Sequence, residues 1–191
     1  MLFNSFSFIF IFLPITVTIF YLIGNRGHHQ IAILWLISAS LFFYAWWNPI
    51  YILLLTGSIL FNFYLGKGLK KHIHEENGSS RNKHLLVLGI SINLLSLAYF
   101  KYANFFVDNA NTLFSNNYHL DTIILPLAIS FFTFQQIAFL VDAYRGITHE
   151  LKFSHYCLFV VFFPQLIAGP IVHHKEMLPQ FSKKLYLPIY A

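Results

Sequence analysis

The sequence contains few charged side chains, and this scarcity is the first constraint on the fold. Asp, Glu, Lys and Arg make up 10% of the 191 residues, whereas an ordinary soluble domain has about 25%. None of them occurs before Arg26, and none occurs between Arg26 and Lys67. A helix needs about 20 apolar residues to cross a bilayer, so the second gap is long enough for two crossings. The sequence therefore predicts an integral membrane protein.

Cysteine is almost absent as well. Cys157 is the only one, which excludes an internal disulfide and any metal site built from several cysteines. His72 and His74 are spaced i,i+2 in a polar segment, whereas a helical zinc pair needs i,i+4 spacing. We therefore predict no metal site. The formal charge of +5 is distributed between apolar runs and forms no basic stripe, so no nucleic-acid partner is expected.

Hydrophobic residues are abundant instead, at 57%, and they are grouped in six runs. Each run is long enough, or nearly so, to cross a bilayer as a helix. The runs lie at roughly 6–23, 31–47, 49–65, 84–100, 122–144 and 154–172. Trp46, Trp47, Asn48 and Pro49 separate the second and third runs, with rings that favour the interface followed by turn-forming residues. The pattern predicts an all-α, polytopic bundle of transmembrane helices.

Two segments between these runs are polar. Lys67–Lys83, which includes the flexible tract Asn77-Gly78-Ser79-Ser80, is predicted to be a loop. Basic loops are retained in the cytoplasm, so we expect this loop inside and the N-terminus outside, although its charge could also attract an anionic ligand. Residues 101–121 contain too many Asn and Asp residues for a crossing and are predicted to form an interfacial helix.

Polar residues also occur within the run at 122–144 and just after it. Gln135 and Asp142 are seven residues apart and Arg145 follows Asp142 at i+3, so all three lie near one face of a helix. A central Asp costs about 2.5–3.5 kcal/mol on membrane insertion, so such groups usually face protein or water. These residues are therefore candidates to line an internal cavity. In the alternative interpretation, Asp142 and Arg145 pair at the cytoplasmic boundary.

The last run changes character near its middle, in FFPQLIAGPIVHHKEMLPQF at residues 162–181. Pro164 and Pro170 each remove a backbone donor and kink or break a helix, while Gly169 permits close approach or unusual dihedral angles. Non-helical backbone at membrane depth is tolerated only beside protein or a water-filled cavity. We therefore predict a broken or re-entrant segment near 162–175, with Gln165 facing protein or a cavity.

Three segments together resemble one family. They are MLFNSFSFIFIFLP at the start, LPLAISFFTFQQIAFLVDAYRG in the middle and FFPQLIAGPIVHHKEMLPQF near the end. In order and spacing they resemble the membrane-bound O-acyltransferase family, and most of all its alginate O-acetyltransferase branch, from Met1 to about Phe181. The resemblance implies helices around a tunnel in which an acyl donor meets a hydroxyl acceptor. The candidates to line that tunnel are Gln135, Gln136, Asp142, Arg145, Gln165, Gly169 and Pro170.

His173 and His174 are the local candidates for acyl-transfer chemistry. Transfer to a hydroxyl needs a base, and imidazole titrates in the right range. Neighbouring histidines point in different directions on a helix, however, and no Ser or Cys nucleophile is visibly paired with them. The alternative is an interfacial cluster with Lys175 that faces water.

The resemblance also implies where the main base lies. The family's catalytic histidine is expected beyond Ala191, so residues 1–191 would be a single N-terminal part of the membrane domain, apparently truncated and inactive alone. The donor would be a thioester, acetyl-CoA or an acyl carrier, acting as a cosubstrate with no bound cofactor. The implied partners are membrane lipid, a polysaccharide acceptor and accessory envelope O-acetylation proteins, in a bacterial-type cytoplasmic (inner) membrane.

The predicted function is the transfer of an acetyl or similar acyl group to hydroxyls of an exported polysaccharide such as alginate. Two alternatives remain open. One is a non-catalytic membrane remnant or scaffold produced by truncation. The other is a transporter, because broken helices at membrane depth also build transport sites, although transporter halves often repeat one another and these segments do not.

Overall fold

The computed structural model describes residues 4–71, 78–114, 121–147 and 152–168, and every regular element in these ranges is helical. A π-helical turn at Phe8–Phe12 is followed by seven α-helices. They are α1 Leu13–Asn25, α2 His29–Trp47, α3 Tyr51–Lys71, α4 Gly78–Phe114, α5 Ile129–Tyr144, α6 Phe153–Val161 and α7 Phe163–Ala168. The all-α architecture predicted from the sequence is confirmed.

Within these ranges, four helical stretches are long and apolar enough to cross a bilayer. They are Phe8–Asn25, His29–Trp47, Tyr51–Leu69 and Ser80–Phe114, and they overlap the first four predicted runs. A soluble domain rarely contains four such helices, because each would expose a large apolar surface to water. The protein is therefore an integral membrane protein.

The last two runs form shorter helices. The run at 122–144 is helical only from Ile129, in the 16 residues of α5, which extend about 24 Å at 1.5 Å per residue. The hydrocarbon core of a bilayer is roughly 30 Å thick. The run at 154–172 is divided at Phe162 into the nine residues of α6 and the six of α7. Neither run therefore forms one uninterrupted crossing in the part that the structure describes.

Helix α4 is longer than the sequence predicts. Its 37 residues extend about 55 Å. The prediction of a loop up to Lys83 is wrong because α4 begins at Gly78, whereas the residues predicted to form an interfacial helix at 101–121 are helical up to Phe114, as the continuation of α4. Continuation is favoured because each further residue adds one hydrogen bond to an existing helix, whereas a separate helix must be nucleated again.

The described residues divide into two compact units. The first comprises those of Met1–Phe63 and Thr148–Ala191, and the second those of Tyr64–Ile147. In the first unit, α1 and α2 form an antiparallel hairpin in which Trp35 Nε1 donates a hydrogen bond to Thr16 O at 3.0 Å. Helices α6 and α7 pack against α2.

Pro14 explains the π-helical turn that precedes α1. Proline lacks an N–H, and its ring would collide with the carbonyl of Phe10 in a regular helix. The chain widens here instead, and the N–H of Leu13 bonds to Phe8 O, five residues back. The widened turn is therefore a local response to proline within an apolar, membrane-crossing helix.

In the second unit, α5 packs against α4, and one glycine on α3 and one on α4 lie against bulky side chains of this unit. A Cβ atom added at Gly66 would lie 2.5 Å from Cε1 of the Phe139 ring. One added at Gly89 would collide with the side chains of Leu65 and Leu140. The two glycines allow these larger side chains to fill the space, and close packing of this kind holds helices together where burial from water supplies no driving force.

Candidate functional site

Three of the predicted polar candidates are buried on α5. Gln135 is 2% exposed, Gln136 is fully buried and Asp142 is 9% exposed. Gln135 and Asp142 therefore share a buried face, with Phe139 one turn from each. Removing these polar groups from lipid lowers the cost of placing them in a membrane helix. Their role as tunnel-lining residues stays a prediction.

Arg145 lies outside that buried face. Helix α5 ends at Tyr144, and Arg145 is an exposed C-cap residue. The Gly146 N–H bonds to Ala143 O at 3.2 Å and the Ile147 N–H bonds to Asp142 O at 3.0 Å, with Gly146 at φ 71°. This is a Schellman motif, which glycine accommodates without steric cost. The Arg145 cation is placed favourably at the negative end of the helix dipole.

The side-chain amide of Gln135 is enclosed without a partner. Among the described residues, neither its Nε2 nor its Oε1 atom makes a hydrogen bond. Leaving a buried polar group unpaired costs about 1–3 kcal/mol. The spacing of polar residues in the sequence indicates that Gln135 is buried but carries no signal of this missing partner.

The start of α5 is strained. Ala128, its N-cap, has φ 56° and ψ 22°, and the left-handed region costs a non-glycine residue about 1–2 kcal/mol. The Ala128 carbonyl accepts from Phe132 N–H at 3.1 Å, and Pro126 O accepts from Ile129 N–H at 3.3 Å. A tight turn therefore begins α5 directly after the non-helical residues 121–126.

Asn104 of α4 holds that non-helical segment. Its Oδ1 accepts a hydrogen bond from Ile123 N–H at 3.3 Å, and its Nδ2 donates to Asp121 O at 3.5 Å. The sequence does not predict this contact, because its pattern places Asn104 in an interfacial helix and residues 122–128 in a continuous span. Pro126 was the available signal, since the residue before a proline disfavours helical geometry.

The break predicted near 162–175 lies at its first residue. Phe162, with φ −53° and ψ 105°, separates the end of α6 from the start of α7. Pro164 is the cause, because in one continuous helix its ring would collide with the carbonyl of Val160. As the second residue of α7, Pro164 needs no N–H donor.

Phe162 supplies backbone hydrogen bonds to both short helices. Its N–H donates to Leu158 O at 2.9 Å, which closes α6. Its carbonyl accepts from the N–H groups of Gln165 and Leu166 at 3.1 and 2.9 Å, which opens α7. The break therefore leaves one donor in particular to be satisfied, the N–H of Phe163.

Helix α2 satisfies that donor. The Phe163 N–H donates to Ser40 Oγ at 3.3 Å, and the Ser40 hydroxyl donates in turn to Leu36 O at 2.7 Å. The Phe163 ring also packs with Phe8, Phe12 and Phe43 at centroid distances of 5.3–5.9 Å. A non-helical peptide is thus tolerated here because protein surrounds it.

Two further polar side chains of the first unit are buried. Gln165 on α7 is 7% exposed, so it faces protein rather than lipid, and Tyr44, one turn after Ser40 on α2, is 1% exposed. In the part of the chain that the structure describes, Gln165 Nε2 and Tyr44 OH make no hydrogen bond. The remaining predicted candidates, Gly169, Pro170, His173 and His174, lie outside the described residues.

These buried groups are uncharged apart from Asp142. Amides and hydroxyls both donate and accept hydrogen bonds, so they suit neutral polar ligands such as carbonyls and hydroxyls. Within the four described ranges, no group of three or more His, Cys, Asp or Glu side chains could hold a metal ion.

Nearly the whole chain is similar to known bacterial enzymes. A peptidoglycan O-acetyltransferase from Helicobacter pylori is 42% identical over 96% of this chain and 39% of its own length. A probable alginate O-acetylase from Pseudomonas aeruginosa is 37% identical over 97% of this chain and 35% of its own length. The probable alginate O-acetylase from Azotobacter vinelandii is 34% identical over 97% of this chain and 37% of its own length. No protein-family model and no solved structure matches the chain.

Proposed function

Because the chain belongs to the membrane-bound O-acyltransferase family, we propose that it is the N-terminal part of an enzyme that acylates saccharide hydroxyls. The observation that carries this proposal is the sustained identity, over 96–97% of the chain, with enzymes named for O-acetylation. The chain spans less than two fifths of the length of those relatives. The names of the relatives include two polymers, so the proposed acceptor is a class, the hydroxyls of an exported envelope polysaccharide.

The proposed reaction is the transfer of an acetyl or similar acyl group from a thioester. The acceptor oxygen attacks the thioester carbonyl, the C–S bond breaks, and the hydroxyl proton leaves through a general base while the thiol departs. A thioester carries its own activation, so acetyl-CoA or an acyl carrier suffices as cosubstrate. The protein contributes positioning and hydrogen-bond donors for the developing oxyanion.

The described residues are suited to positioning. The buried amides of Gln135 and Gln165 lie in otherwise apolar helices, and the break at Phe162 provides non-helical backbone inside the first unit. The family resemblance implies a catalytic histidine beyond Ala191. We therefore propose that residues 1–191 form walls of the substrate tunnel, and that His173 and His174 are secondary candidates for the base.

The proposed location is the cytoplasmic (inner) membrane of a bacterium, with the N-terminus outside. Arg26, between α1 and α2, is exposed, as are Arg81 and Lys83 in the first turns of α4. By the positive-inside rule, we propose that the turn between α1 and α2 and the start of α4 lie in the cytoplasm. The thioester would then enter from the cytoplasm and the polysaccharide from outside, where accessory envelope proteins are the proposed partners.

A chimera tests the proposed function. Residues 1–191 replace the segment that they match in the Helicobacter pylori enzyme, in cells that lack their own peptidoglycan O-acetyltransferase. We expect ester-linked acetate on peptidoglycan, measured as acetate released by mild base. The intact Helicobacter enzyme is the positive control. A chimera that reaches the membrane in equal amount but forms no ester would contradict the proposal and favour a non-catalytic scaffold.

A further inference from the structure

Gln135 differs from the other buried amides of the described ranges. It alone has both its side-chain donor and its side-chain acceptor enclosed without a partner, whereas Gln165 and Asn82 each lack a partner at one atom. Its neighbour Gln136 is equally buried but takes part in an interaction with the chain. An enclosed amide without hydrogen bonds weakens the fold, and a bound polar ligand would supply the missing partners.

The helix that carries Gln135 is well fixed. Phe139, one turn further along α5, is 2% exposed and packs on Gly66, where no Cβ could fit. The Schellman motif at Gly146 closes the end of the helix. A side chain that projects from a rigid element can orient a ligand more closely than one on a loop, so this amide is placed to bind rather than to move.

The pattern of unpaired atoms selects the ligand chemistry. A thioester carbonyl only accepts hydrogen bonds, so it would engage Nε2 and leave Oε1 without a donor. A hydroxyl donates and accepts through one oxygen, and two neighbouring hydroxyls match both atoms of an amide. Resting on the function proposed above, we propose that Gln135 binds the hydroxyls of the saccharide acceptor within the membrane domain.

Both amide atoms are enclosed among the described residues, so an acceptor or a reagent reaches them only when the space beside α5 opens. Binding at this position can therefore be measured separately from catalysis. A reactive group placed at position 135 should be reached when the tunnel is open and shielded when a saccharide occupies it. Accessibility at this position therefore provides a readout that does not depend on turnover.

The kinetic test uses Gln135→Met in the chimera, because methionine keeps the size and unbranched shape of glutamine without its polar atoms. We expect the KM for an oligosaccharide acceptor to rise about tenfold, because both hydrogen bonds of the amide are lost and each contributes modestly, with the KM for acetyl thioester unchanged. Phe134→Leu is the control, since Phe134 is exposed on the same helix. An unchanged acceptor KM would overturn the proposal.

The binding test uses Gln135→Cys with Cys157→Ala. A small methanethiosulfonate reagent should modify position 135, and an alginate or peptidoglycan oligosaccharide should slow the modification, whereas the free thiol product of the donor should not. Equal rates with and without saccharide would overturn the inference. If the chimera with Gln135 intact transfers no acetyl group, the proposed function fails, while the labelling still decides whether a saccharide binds beside Gln135.

Discussion

The backbone N–H of Phe163 donates a hydrogen bond to Ser40 Oγ at 3.3 Å, across 123 residues of sequence. At the junction of α6 and α7, Phe163 carries the one backbone N–H that finds no acceptor within these two helices. Ser40 of α2, far away in the sequence, supplies that acceptor. Because an unsatisfied backbone group in a membrane interior costs several kcal/mol, the break caused by Pro164 can exist only where α2 supplies that acceptor.

Ser40→Ala should destabilise the protein by about 1–3 kcal/mol, because it leaves the buried Phe163 N–H unpaired. Ser38→Ala is the matched control. Ser38 lies on the same helix and bonds to Leu34 O at 2.9 Å, but it is exposed, so its loss should change stability by less than about 0.5 kcal/mol. Thermal unfolding in detergent compares the two variants. Equal midpoints would show that the bond to Phe163 contributes nothing.

Gly66→Ala should destabilise the second unit by about 1–3 kcal/mol, because the new methyl group collides with the buried Phe139 ring. Gly68→Ala provides the contrast. A Cβ at Gly68 meets nothing within 4 Å, so that change should stabilise α3 by up to about 1 kcal/mol through helix propensity. Combining Gly66→Ala with Phe139→Leu should recover part of the loss. If both glycine variants behave alike in chemical denaturation, the close contact between α3 and α5 is not present.

Ala128→Gly should stabilise the protein by about 1 kcal/mol, because glycine adopts the left-handed N-cap conformation without strain. Ala138→Gly, at a half-buried position inside α5, should instead cost roughly 1 kcal/mol. The two variants should therefore shift the midpoint of thermal unfolding in opposite directions, upwards for Ala128→Gly and downwards for Ala138→Gly. A loss of stability at both positions would mean that the φ of 56° at Ala128 is not strained in the protein.

The proposed topology predicts opposite accessibility at two exposed positions. In a Cys157→Ala background, Ile50→Cys in the turn between α2 and α3 should react with an impermeant maleimide in intact cells. Ser80→Cys, in the first turn of α4, should react only after the membrane is opened. Both side chains are exposed in the structure, so unequal labelling reports the side of the membrane. The reverse pattern would place the N-terminus in the cytoplasm.

The sequence by itself determined the membrane class and the approximate positions of the helical runs. The absence of charge before Arg26 and between Arg26 and Lys67 leaves no alternative to apolar helices, because a bilayer offers no partner to unpaired backbone groups. Pro164 likewise predicted the broken segment, since the clash of a proline ring with the preceding turn depends on neighbouring residues alone.

The tertiary structure decided which buried polar groups find a hydrogen-bond partner. Spacing placed Gln135 and Asp142 on one face of a helix, but it could not show that the Gln135 amide has no partner among the described residues, nor that Ser40 accepts from Phe163. The sequence pattern also predicts the wrong start and end for α4. The helix begins at Gly78 and continues through the Asn-rich residues to Phe114. Periodicity reports contacts three or four residues apart, whereas hydrogen bonds across the chain depend on how helices pack, and only the folded arrangement specifies that.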